Sequence, residues 1–174
     1  LEDGQQQIAN QEGKLVQSQN ELAQNQASLN RGNQEIQQAK QSLQNQFELL
    51  EANRVQLETS KQTLNQQNSA LQEGKKKLAE AEKQFESQKE KGLSQTALSA
   101  MQEKILQQKQ ELDEGTTAYE QGLTQYENGW ASYQEGLKQY QEGLAIIQSK
   151  QNTLDAGQRA LAEGKRKISV GEEA

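Results

Sequence analysis

The chain has 174 residues, a formal net charge of -6, and no cysteine, histidine or proline. These absences exclude a disulfide framework, a thiolate or imidazole metal site, and catalysis by the commonest general base. Only 31 residues, about 18% of the chain, are Leu, Ile, Val or Phe, which is too few for a large globular core.

The lack of proline, together with abundant Gln, Glu, Lys, Ala and Leu, points instead to long uninterrupted helix. No run of eighteen apolar residues occurs, so no transmembrane helix is expected within these residues.

The first arm carries a large apolar residue every seven positions: Leu1, Ile8, Leu15, Leu22, Leu29, Ile36, Leu43, Leu50, Leu57, Leu64, Leu71, Leu78 and Phe85. A sustained seven-residue period is the pattern of a helix wound on a partner helix, with a left-handed supercoil. These are the a positions. The d positions, three residues later, are small or polar, among them Gly32, Ala39, Gln46, Asn53, Ser60, Gln67, Gly74 and Ala81. A stripe this narrow does not stabilise a lone helix.

The pattern breaks at Gly92-Leu93-Ser94. Gly92 suits the left-handed residue that ends a helix, and Ser94 suits an N-cap. Leu93 and Leu98 have the spacing of a hydrophobic staple. A stop and restart within three residues predicts a tight helical hairpin with its tip near 91–95.

The second arm resumes the period at Leu98, Ile105, Leu112, Tyr119, Tyr126, Tyr133, Tyr140, Ile147, Leu154, Leu161 and Ile168. Eight of its eleven d positions are glycine, from Gly115 to Gly171. Each glycine inside a helix costs roughly 1 kcal/mol relative to alanine, so the column implies close approach by a neighbouring helix. Folding at Leu93 pairs residues whose numbers sum to about 186. Leu71, Leu64, Leu57, Leu50 and Leu43 then face Gly115, Gly122, Gly129, Gly136 and Gly143. Leu29, Leu22 and Leu15 face Gly157, Gly164 and Gly171. Tyr119, Tyr126, Tyr133 and Tyr140 face Gln67, Ser60, Asn53 and Gln46, polar partners for their hydroxyls. Large meets small in nearly every layer, whereas a parallel homodimer would stack glycine on glycine. The expected fold is all-α: one long antiparallel coiled-coil hairpin with arm one at 1–91, the tip at 92–94 and arm two at 95–174. Arms of about 85 residues rising 1.5 Å each make a rod of roughly 130 Å with both ends together. The heptad phase already runs at Leu1 and still runs at Gly171, which predicts a segment of a longer chain.

Nothing in this pattern assembles a catalytic site, a metal site or a cofactor site, and none is expected. The glycines sit mid-helix and not in a strand–turn–helix phosphate loop. Nucleic-acid binding is not expected of an acidic chain whose basic runs, Lys75-Lys76-Lys77 and Lys165-Arg166-Lys167, are isolated. The first run reads as solvated helix surface. The second, followed by Glu172 and Glu173, reads either that way or as a neighbour of anionic lipid. The candidate partner-binding residues lie midway along the hairpin. Leu123, Trp130, Leu137 and Leu144 add a second apolar column at e beside Tyr126 and Tyr133, with Phe47, Leu49 and Arg54 opposite. Arg54 falls near Trp130 on the 186 register, within reach of a cation–π contact. The node is either a clamp, the best-packed part of the hairpin, or an exposed strip that binds a protein partner or a second hairpin. Trp130→Ala separates the two: loss of partner capture with helicity unchanged marks a binding strip, and a large fall in thermal stability with binding unchanged marks a clamp.

The units YENGWAS and YQEGLKQ, and the later LDAGQRALAEGKRKI, resemble the glycine-punctuated heptads of large extracellular coiled coils in FtsX-like (MacB-type) ABC transporter permeases of Gram-positive bacteria. Nearly the whole chain follows that style, the second arm more closely than the first. Similar heptads occur in YhgE/Pip and EsaA-like membrane proteins. The resemblance implies an insert between two transmembrane helices of a multi-pass membrane protein, projecting from the extracellular face. A separate ATP-binding subunit would drive the transporter. The partner would be a surface protein, an exported substrate or a second stalk, with a homodimer in the membrane among the allowed states. Two alternatives stand beside it: a spacer or docking rod of another bacterial surface protein, and a cytosolic structural coiled coil.

Overall fold

The structure, a computed structural model, describes residues 2–172. Leu1 and Glu173 lie outside the described residues, and the expected Leu15–Gly171 layer falls beyond the described side chains. Two helices account for the fold: α1, Glu2–Glu90, and α2, Gln95–Glu172. They pack against each other as an all-α helical hairpin of coiled-coil type, in the register the sequence predicts.

The turn between them follows from three residues. Gly92 adopts φ +76°, a conformation that costs any residue with a Cβ. With it in place, the Gly92 N–H donates to Lys89 O at 3.1 Å and the Leu93 N–H to Gln88 O at 3.1 Å. That is the Schellman closure of a helix C-terminus. Ser94 then caps α2, its Oγ accepting the Ala97 N–H at 3.4 Å while Leu98 N–H reaches Ser94 O at 3.0 Å.

The helices divide into two compact units, 1–49 with 137–174 and 50–136. In the first, Ile36, Leu43, Ile147, Leu154 and Leu161 are buried, and Leu29, Ala39 and Tyr140 pack against that core. A methyl placed on Gly143 would lie 2.7 Å from Leu43 Cδ1, and one on Gly157 2.7 Å from Leu29 Cδ2. Leu22 sits likewise over Gly164, and Leu154 over Gly32. In the second unit Leu50, Leu57 and Leu64 are the buried residues. They and Leu71 lie over Gly136, Gly129, Gly122 and Gly115, with the hypothetical methyl at 2.8, 2.9, 3.1 and 3.0 Å. Leu112 reaches back across to Gly74. The leucines of α1 fill space that a side chain on the facing α2 glycine would occupy, whereas Gly32 and Gly74 leave room for a methyl, so burial comes from interdigitation within a two-helix layer.

One sequence expectation is corrected in detail. None of the four tyrosine hydroxyls makes a hydrogen bond among the described residues. The Ser60 hydroxyl, the expected partner of Tyr126, donates instead to Gln56 O of its own helix at 3.0 Å, because a serine in mid-helix finds the carbonyl one turn back with no loss of rotamer freedom across the seam.

Candidate functional site: an aromatic strip on the second helix

Trp130, Tyr126, Tyr133 and Arg54 belong to the unit formed by 50–136, and Phe47 and Leu137 to the other. Within α2, Trp130 and Tyr133 are three residues apart and therefore share a face. Their rings stack with centroids 5.4 Å apart and planes 24° apart. Tyr126 and Tyr133 are half-buried at a positions, whereas Trp130 at e keeps 41% of its surface in solvent. The strip is thus a tyrosine wall sunk into the seam with an indole held on its rim.

Arg54 does not stack on Trp130. Its guanidinium donates to Glu51 at 3.0–3.3 Å and to Glu58 at 2.6 Å, one turn to either side on α1. The hydrogen bonds to Glu51, with the charges of Glu51 and Glu58, push the Arg54 pKa up. Two carboxylates at i-3 and i+4 offer more to a guanidinium than one ring face at the solvent edge. In the other unit, Phe47 lies 5.4 Å from Tyr140, ring to ring, with planes tilted by 38°. Phe47 is 39% exposed and Leu137 is half-buried.

One neighbour of the indole escaped the sequence reading. Polar contacts between the helices join Gln26 to Lys165, Lys40 to Gln151 and Glu82 to Lys109. All six are e positions, and each pair sums to 191. The same register sets Lys61 across from Trp130, and Asn68 across from Leu123. The signal was present in the heptad letters, because e flanks e in an antiparallel pair, but the a and d layers alone do not reveal it.

The opposite flank of this unit holds a shallow groove of about 530 Å³, lined by uncharged side chains that include Asn53, Gln56, Thr63, Gln125 and Tyr133. The other unit has a more apolar groove of about 640 Å³ along Leu22, Leu29, Ile36, Leu154 and Leu161. Among the described residues no three potential metal ligands converge, and no helix is long and apolar enough to cross a membrane. The strip offers exposed contact surface at Trp130. The chain matches no protein-family model, no curated protein and no solved structure.

Proposed function

We propose that this hairpin is a non-catalytic extracellular stalk of a Gram-positive ABC transporter permease of the FtsX-like type, holding a partner or exported substrate and coupling it mechanically to the transporter. The observation that carries the reading is the antiparallel register. It sets Leu22 beside Gly164, so the chain leaves and returns at one place. A domain with that property can be inserted into a loop of a host without disturbing it. The glycine-punctuated heptads supply the resemblance to permease stalks. Trp130, stacked on Tyr133 and exposed, supplies an anchor of the kind that dominates protein interfaces. In this reading ATP chemistry resides on a separate subunit, and a partner is met at the strip of Tyr126, Trp130, Tyr133 and Arg54 in one unit, with Phe47 and Leu137 candidate contacts in the other.

The chain contains no cysteine, which makes the test direct. Ser132→Cys, at an exposed position, is introduced into the full-length protein in its host. Labelling of intact cells by a membrane-impermeant maleimide is the expected result. Labelling only after permeabilisation overturns the extracellular reading and favours a cytosolic coiled coil.

A further inference from the structure

We propose that the unit 50–136 has a second register, one heptad from the observed one, and that α2 slides along α1 between the two. The inference rests on the stalk reading and deepens its mechanical part by naming the movement transmitted. In the observed register Leu57, Leu64 and Leu71 lie over Gly129, Gly122 and Gly115. A seven-residue slide that lengthens the tip loop puts the same leucines over Gly136, Gly129 and Gly122, and Leu78 over Gly115. It carries α2 about 10 Å along α1. Tyr119, Tyr126 and Tyr133 then face Gly74, Gln67 and Ser60, again small or polar. The fit of large against small that makes the seam is therefore met twice, and packed helices move between such settings in discrete steps. The reverse slide is not equivalent, because it sets Leu78 against Met101 and Leu71 against Gln108. In the other unit, taken by itself, the forward step puts Leu29 and Ile36 over Gly164 and Gly157, trades Ile36 for Leu43 opposite Lys150, and gives up the ring contact of Phe47 with Tyr140.

The charges flanking the seam favour the two settings alike. Residues at e face e, as Glu82 and Lys109 show at 2.7 Å. Residues at g face g, and Ala70, Lys77, Glu111 and Ala118, all at g, line one groove. Among the e and g pairs within this unit, the observed register has one opposite pair, Glu82 with Lys109, and one like pair, Lys77 with Lys104. One heptad on, the opposite pair is Lys77 with Glu111 and the like pair is Lys89 with Lys109. The reverse slide has a like pair, Lys75 with Lys109, and no opposite one. Lys77 is bridged to Glu73, and Glu111 accepts from Gln107, each within its own helix, so cross-seam charge adjusts the balance and does not drive it. What selects the observed register is the turn, Gly92 at φ +76° followed by the Ser94 cap. The longer loop keeps Gly92 as the stop of α1 and has a restart of its own. Ser99 and Gln102 have the capping-box spacing, which Ser94 and Ala97 lack. Restarting there gives up the turn that carries Leu98.

Cysteine cross-linking in the 174-residue chain, which has no native cysteine, reads the register. Leu71→Cys is combined with Gly115→Cys for the observed register, with Gly122→Cys for the shifted one, and with Gln108→Cys for the reverse slide. The last two partners each lie about 10 Å out of alignment, beyond disulfide reach, so random opening favours neither. Oxidation should cross-link the monomer most at 115, less at 122 and least at 108. Two exposed charge reversals should move that balance in opposite directions. Lys89→Glu makes the like pair of the shifted register an opposite one and should raise the yield at 122, relative to 115, about five-fold. Lys104→Glu does the same for the observed register and should lower that ratio about five-fold. Neither residue meets a charge in the reverse slide, so the yield at 108 should stay put. A parallel set on Leu64→Cys, with Gly122, Gly129 and Gly115 as the partners, repeats the reading if circular dichroism shows that a pair at Leu71 does not fold. Equal yields at 122 and 108 in every background, or a ratio that fails to rise with Lys89→Glu and fall with Lys104→Glu, would overturn the proposal. The measurement needs no membrane. Its failure leaves the intact-cell labelling result standing, and the reverse also holds.

Discussion

At the scale of single residues, the glycines of the two helices are unequal sites. The helix gains roughly 1 kcal/mol from each Gly→Ala change, while a methyl forced into a filled space costs about 1–3 kcal/mol. Distance decides which wins. At Gly74 and Gly32 the added methyl meets leucine carbons at 3.4 and 3.5 Å, ordinary contact. Gly74→Ala should raise stability by about 0.5–1 kcal/mol in chemical unfolding followed by circular dichroism. At Gly143 the methyl meets buried Leu43 at 2.7 Å. Gly143→Ala should lower stability by about 1 kcal/mol, and a gain there equal to that at Gly74 would mean the leucines are free to swing aside. Gln108 offers a second residue-scale test. Its Oε1 is buried without a hydrogen-bond partner, at a d position whose facing residue on the 186 register is Leu78. Replacing an unsatisfied buried amide by a side chain of similar shape removes a desolvation cost, so Gln108→Met should stabilise by about 1 kcal/mol. An unchanged midpoint would show that the carbonyl reaches water in solution.

At the scale of elements, the tip is where the helices are told to stop. Gly92 alone has positive φ among the described residues, and the Schellman bonds of Gly92 and Leu93 depend on it. Gly92→Ala should cost about 1 kcal/mol, visible as a lower unfolding midpoint with helicity retained. Both helices satisfy their hydroxyls locally. Ser60, Thr59, Thr63 and Ser132 turn their hydroxyls back onto carbonyls four residues earlier. They fill local bonding capacity and leave the seam to leucine, glycine and tyrosine. Polar contact between the helices is carried by e positions at its margins, as in Lys109 with Glu82.

At the scale of the molecule, the claim that matters is that α1 and α2 of one chain pair with each other. Leu71→Cys with Gly115→Cys joins positions that face each other directly in the structure. Because no native cysteine competes, oxidation should give a cross-linked monomer on a non-reducing gel. A cross-linked dimer would mean that the arms pair between chains, and the single-site insertion of the stalk reading would fall with it.

How far the sequence reaches is set by the kind of interaction involved. The two helices, their antiparallel register and the turn at Gly92 were all determined by residue type and spacing. Leucine every seventh residue, glycine in the facing column and a left-handed residue before an N-cap leave one arrangement that fills space, and steric fit is readable from volumes. What only the tertiary structure decided was the choice among polar partners. Arg54 went to Glu51 and Glu58 and not to Trp130, and Ser60 went to its own helix and not to Tyr126. Trp130 stacked on Tyr133 with two-fifths of its surface left open. Long side chains have several partners within reach at similar energy, and the outcome depends on rotamers and local geometry that spacing does not encode. The same reason explains why Lys61, opposite the indole, emerged only when the contacts flanking the seam fixed which e residues face one another.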